Sequence, residues 1–265
     1  MTATAPVDKA APMWTLSADE LRVVARITAT VLPSMLRIDL GDDDVILAET
    51  VAARSLLAHG LAMPTDGHGI GLAPGAADQL APLLAPVAVV EVELDAGQPS
   101  RHVMVAAHDG AVLALHEREL GVWRIDRISG ALGAAVWDVV EWPGEPASSA
   151  SGAQFVLPVS AGLEVDRLAR AGLWPEVDRA LAEAGVDETT ARKWRAAHQQ
   201  RRLVGRVRLA RTIGPEIYEA GEVRWLDGGA AGVWLLSEID EVTAVIEDVG
   251  AQAVWVALDA LIGKD

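Results

Sequence analysis

Two stretches of this sequence, residues 101–115 (RHVMVAAHDGAVLAL) and 221–236 (GEVRWLDGGAAGVWLL), each read as a strand, a tight turn and a second strand. The turns fall at Asp109–Gly110 and Asp227–Gly228. Asp-Gly between apolar runs is a hairpin signal, because glycine tolerates the positive φ that a two-residue turn requires. In both places a further short strand follows, at 122–128 and 242–248, and then an amphipathic helix opened by Gly130 or Gly250. The turn glycines are 118 residues apart and the helix glycines 120. Intervals this similar predict a duplicated unit. A period this long predicts a pseudo-twofold pair of halves, since solenoid repeats run to about 20–50 residues.

What precedes each meander is helical. Ser17-Ala-Asp-Glu20 is a capping box, in which the hydroxyl and the carboxylate each satisfy an orphan backbone N–H; Leu16 and Leu21 are spaced for a hydrophobic staple. Leu21, Val24 and Ala25 follow at helical spacing until Pro33. A short strand is expected at 36–40, a solvated turn at 41–44, and a helix over 45–59 that buries Leu47, Val51, Leu56 and Leu57 and stops at Gly60. A short helix around 76–84 leads into strands at 87–94, 101–107, 111–116 and 121–128 and a closing helix at 130–142. The second half is expected to hold helices at 161–171, 174–184 and 187–200, with Gly185 as a stop and Asp187 as an N-cap. Strands at 203–210, 221–227, 231–236 and 241–248 and a last helix with Ala251, Val254, Trp255, Leu258 and Leu261 on one stripe complete it. The fold class is therefore α+β with a quasi-twofold internal duplication. The expected organisation is a disordered arm at 1–13, halves at 14–142 and 155–265 forming one domain, and a Pro/Gly/Ser-rich linker at 143–154.

Composition narrows the function. The chain has 265 residues, is 51% hydrophobic, carries a net charge of −16 and has no cysteine. Such a charge opposes binding to nucleic-acid backbones and anionic membranes, and the absence of thiols excludes disulfides and thiolate metal sites. No secretory leader or ordinary membrane-spanning helix is legible, so a soluble, cytoplasmic protein is expected. No nucleophile elbow and no H-E-x-x-H pair occurs, and Gly67-His-Gly69-Ile-Gly71 reads as a loop without the strand a dinucleotide site needs. Asp42–Asp44 are consecutive where calcium loops alternate their ligands. Glu117 and Glu119 share a strand face and read as surface charge. No catalytic residue, metal or cofactor is expected. The remaining enzymatic alternative is a small-molecule site near His102, His108 and His116, all on one meander.

The nine tryptophans, against one phenylalanine and one tyrosine, point instead to packing and interfaces. Trp137 and Trp255 occupy near-equivalent places in the two closing helices, while Trp174, Trp194, Trp225 and Trp234 suit core or interface equally.

The opening Trp14-Thr-Leu16-Ser-Ala-Asp-Glu20-Leu21, the helix end His59-Gly60-Leu61 with its Gly-rich turn and Leu-Ala-Pro74, the second hairpin, and the closing Trp255-x-x-Leu258-x-x-Leu261 together resemble EspG-type proteins. These are chaperones of actinobacterial type VII (ESX) secretion. The resemblance spans about residues 14–262. It implies a central antiparallel sheet flanked by two helical bundles, and binding of the hydrophobic tip of PE/PPE-like substrate proteins without catalysis. It further implies cargo contact through strands 221–236 and helices 161–200, with the chaperone a monomer or weak homodimer. Strand alternation then puts Val223 and Trp225 under the helices and Arg224 and Leu226 on the cargo side, joined by Trp234 and Leu236 and extended by Trp174 and Trp194. A relative of the same fold that has lost its cargo and serves a structural or regulatory role is the alternative.

Overall fold

A computed structural model describes residues 13–33, 36, 42–67, 69–96, 100–140, 142, 150–213, 216–238 and 242–263. The expected N-terminal arm up to residue 12, the expected strand beyond Leu36, and linker residues 143–149 lie outside them.

The chain divides into two compact units. The first comprises the residues up to Val90, His102–Val136 and Arg211–Tyr218. It contains strand β1 (Trp14–Ser17), helices α1 (Ala18–Thr28) and α2 (Asp42–Ala58), the small hairpin β2 (Ala62–Pro64) and β3 (Ile70–Leu72), and helix α3 (Pro74–Leu84). Strand β4 (Ala88–Asp95) follows, then β5 (Arg101–His108), β6 (Ala111–Glu119), β7 (Val122–Ile128) and helix α4 (Leu132–Val139). The second unit comprises Glu91–Arg101, Trp137–Ala210 and Glu219–Asp265. It holds β8 (Gln154–Pro158), α5 (Val159–Arg170), α6 (Trp174–Glu183), α7 (Glu188–Gln199), most of β9 (Leu203–Ile213) and of β10 (Glu216–Asp227), β11 (Val233–Glu238), β12 (Thr243–Val249) and α8 (Ala251–Ile262).

Among the described residues, ten strands form one sheet in the order β1-β7-β6-β5-β4-β9-β10-β11-β12-β8. Outward from β4 and β9, each half lays down a four-strand meander. Its own N-terminal strand then returns to pair with the last member, β1 with β7 and β8 with β12, both antiparallel. That mirrored order is the quasi-twofold duplication. The edge strands themselves, four and five residues long, have no counterpart in the sequence reading. They are too short to show a period.

Local rules hold where caps and turns decide. Ser17 Oγ accepts from Glu20 N at 3.1 Å and Glu20 Oε2 accepts from Ser17 N at 2.7 Å, the reciprocal capping box. Asp187 Oδ1 accepts from Thr189 N and Thr190 N, both at 3.0 Å, to open α7. Asp109 and Gly110 both have positive φ, 45° and 77°, and form the two-residue turn between β5 and β6.

Three expectations are corrected. The second hairpin has a five-residue connection, because Asp227 pairs with Val233 and a single 3-10 turn, Gly229–Ala231, fills the gap. Asp42–Asp44 lie within the first turn of α2 rather than in a separate turn before it. Within α2, Leu47 and Val51 are not buried. They are 68% and 58% exposed, with Ile46 at 74%, while Ala52 and Leu56 are buried. The smaller side chain faces inward because α2 packs on α1, leaving little room at that seam. The stretch expected as a loop at 67–71 runs into strand β3, where Gly71 pairs with Met63 of β2.

In the second unit two glycines permit close approach. A Cβ on Gly205 would lie 2.0 Å from the Trp225 ring, and one on Gly228 would lie 2.5 Å from the Ala197 Cα of α7. Trp225 is 2% exposed and has no room to retreat. Gly205→Val is therefore expected to destabilise by about 3 kcal/mol or more through overpacking. Gly162→Ala, in α5 with nothing within 4 Å of the added Cβ, is expected to stabilise by roughly 0.5–1 kcal/mol. Urea unfolding midpoints of the two variants against wild type measure both.

Candidate protein-binding face

Strand β10 decides what the second unit can present. Its register with β11 sets Arg224 opposite Leu236 and Leu226 opposite Trp234, so these four share one face. Helices α5, α6 and α7 cover one end of that face. Leu226 and Trp234 are 6% and 2% exposed and join Phe155, Val165, Leu181 and Trp194 in the bundle core. The expectation of an open platform at Leu226 and Trp234 is thus corrected: these two side chains pack beneath the helices. The opposite face is covered as well. There Trp225 stacks on Trp142 with centroids 5.8 Å apart, and Trp142 meets Trp255 of α8 at 5.7 Å.

The other end of the Leu226 face emerges from under the bundle. Arg224 and Leu236 are half-buried, and with Glu219, Gly221 and Glu222 they line a shallow hollow of about 290 Å³. Leu236 still touches the bundle core, so the hollow begins where the core ends. Arg224 donates to Glu222, which is also reached by Arg206 Nε at 2.8 Å and Arg208 Nε at 3.2 Å from β9. Arg208 and Arg206 in turn lie 3.5 Å and 3.8 Å from Glu91 and Glu93 of β4. Burial pushes the Glu91 carboxyl up, against the pull of Arg208 and helped by Glu93 and Glu219. The sequence reading missed this ladder. Its signal was alternation: acids at 91, 93 and 95 on one strand and arginines at 206 and 208 on another put complementary charges on facing strands.

Aromatic rings continue from the sheet into the bundle. Trp234 meets Phe155 at 6.1 Å, Phe155 meets Trp194 edge-on at 6.3 Å, and Trp194 packs on His198 at 4.0 Å. Trp194 is buried, so only Trp174 of the two expected helix residues is half-exposed. The Arg195 guanidinium lies 5.6 Å over the Trp174 ring and is paired with Asp178 at 2.6 Å.

The loop ending β10 is fixed by Asp227, which is fully buried. Its Oδ2 accepts from Trp142 Nε1 at 2.6 Å and Arg202 Nη2 at 2.8 Å, and its Oδ1 from Gly229 N at 2.7 Å. Trp137 and Trp255 stack at 4.0 Å on the two closing helices, both half-buried, with Trp137 Nε1 donating to Asp259 Oδ1 at 3.0 Å.

The histidines of the first unit do not converge. Val103 is the partner of His116, which places His102 on the opposite face, and His108 sits at the turn against the Ala85 carbonyl. His116 faces Asp126 at 3.8 Å. Among the described residues no group of three metal-ligating side chains forms, and no helix is long and apolar enough to cross a membrane.

His198 in the bundle is the one strongly perturbed histidine among the described residues. Burial lowers its pKa to about 4, opposed by Asp166 and reinforced by Arg201 and Arg170. The unfolded chain therefore binds the proton first, so the stability this group contributes is present above pH 6.5 and is lost as pH falls toward 4. Thermal midpoints measured from pH 7 to 4 are expected to fall by several degrees more in wild type than in His198→Phe.

No protein-family model and no curated protein matches the chain. Among solved structures it matches the Mycobacterium tuberculosis type VII secretion system chaperone EspG5, determined in complex with a PE25–PPE41 dimer. The TM-score is 0.61 at 14% identity, covering 94% of this chain and 95% of that one. What the two proteins share at this identity is the fold, nearly end to end: the duplicated α+β architecture of EspG5.

Proposed function

We propose that this protein is a non-catalytic chaperone of type VII (ESX) secretion, acting in the cytoplasm, that shields the hydrophobic tip of a PE/PPE-like substrate pair. The observation that carries the reading is the match to the fold of EspG5 over 94% of this chain and 95% of that one. The second unit supplies a suitable surface. The sheet face passes from a sealed aromatic core at Leu226 and Trp234 to a half-buried margin at Arg224 and Leu236, with Trp174 half-exposed on the bundle. Such a margin joins apolar area to fixed charge, the composition of protein interfaces with a polar rim.

The reading is tested by co-expression with a panel of actinobacterial PE–PPE pairs. A chaperone is expected to co-elute with at least one pair in size-exclusion chromatography; capture of none overturns it. Leu236→Glu is expected to weaken capture about tenfold or more while the circular dichroism spectrum is kept, because it adds a carboxylate at the margin. Trp234→Glu is expected to lose the fold itself, since a carboxylate would be buried without a partner at a cost of several kcal/mol.

A further inference from the structure

The ladder on β4, β9 and β10 arranges its charges in depth. Glu222 is the inner carboxylate, with its side chain 12% exposed, and three arginines close on it. Outside them stand further carboxylates: Glu219 lies 3.6 Å from Arg208, Glu93 lies 3.8 Å from Arg206, and Asp95 lies 3.6 Å from Arg201. Arg206 and Arg208 are thus each held between the inner Glu222 and an outer carboxylate. The arginine side chains are 29–34% exposed, against 61% for Glu219, 43% for Glu93 and 39% for Asp95. A carboxylate has about four acceptor sites, so each outer one keeps acceptor capacity toward solvent. Glu222 and Glu91 are the inner acceptors, and Glu219 and Glu93 are the outer ones, more exposed than the arginines they pair with. The net charge of −16 extends the same sign over the whole protein. Beside this fringe, Leu236 is the apolar side chain that lines the hollow.

We infer that the partner segment received by this face is basic: an apolar side chain seated on Leu236, flanked by lysine or arginine residues that reach Glu219 and Glu93. The inference rests on the chaperone reading above and specifies the cargo that reading takes. A basic tip completes the outward acceptors and is drawn in by the long-range field. An acidic tip sets like charges against Glu219, Glu93 and Asp95 and is rejected.

The PE–PPE panel sorted by net charge of the PPE tip tests this. Dissociation constants are measured for wild type and for the Glu93→Lys/Glu219→Lys double variant, with circular dichroism to check the fold. Pairs with basic tips are expected to bind wild type at least about tenfold more tightly than pairs with acidic tips. That advantage is expected to shrink as salt rises from about 0.05 to 0.5 M, and to reverse in the double variant. Capture that ignores tip charge, or favours acidic tips, overturns the inference and leaves the chaperone reading standing. Capture of no pair removes both. If the double variant does not fold, the wild-type ranking and its salt dependence decide alone.

Discussion

One buried carboxylate holds the second unit in register. Asp227 ends β10, and its two oxygens gather the indole N–H of Trp142, the guanidinium of Arg202 and the backbone N–H of Gly229. Its own carbonyl accepts from Arg202 N at 2.8 Å. The strand end, the entry to β9, the chain after α4 and the connection to β11 are therefore fixed by one side chain. Gly228 follows immediately and lets Ala197 of α7 sit directly on the backbone. An apolar residue at 227 would remove the acceptor that the Trp142 indole N–H, the Arg202 guanidinium and Gly229 N share, and a carboxylate offers two oxygens to the three of them.

From that anchor, both faces of β10 become committed. Trp225 lies flat against the space that Gly205 leaves and is backed by Trp142. Leu226 and Trp234 are sealed by the bundle through Phe155 and Trp194. Only beyond this packed zone does the sheet face reach solvent, and there the residues change character to a ladder of ion pairs with Leu236 at its border. Half-buried ion pairs contribute little to stability when isolated. In this ladder Arg206 and Arg208 each serve more than one carboxylate, so these two guanidiniums are held from several sides.

Much of the fold was legible because it obeys local rules. Ser17 and Glu20, Asp187, and the Asp109–Gly110 turn are decided within four residues of themselves, and the structure follows each of them. The edge strands β1 and β8 were not legible, since each is defined by pairing with a strand about a hundred residues away rather than by its own pattern. The apolar side chains of α2 misled for a related reason. Periodicity assumes that the most apolar stripe is buried, whereas α1 selects the stripe holding Ala52 and exposes Ile46, Leu47 and Val51.

The same limit governs the candidate face. Alternation correctly grouped Arg224 with Leu226, and Val223 with Trp225, because side chains on a strand alternate whatever surrounds them. It did not say which group the helices cover, nor that one face is covered at one end and open at the other. The sequence by itself determined most of the longer elements, the caps and the sharing of faces, which are set by neighbours within a few residues, and the duplication, through two similar intervals. Only the tertiary structure decided that Leu226 and Trp234 are core while Arg224 and Leu236 stand at the margin, because burial is a property of what packs from outside the strand.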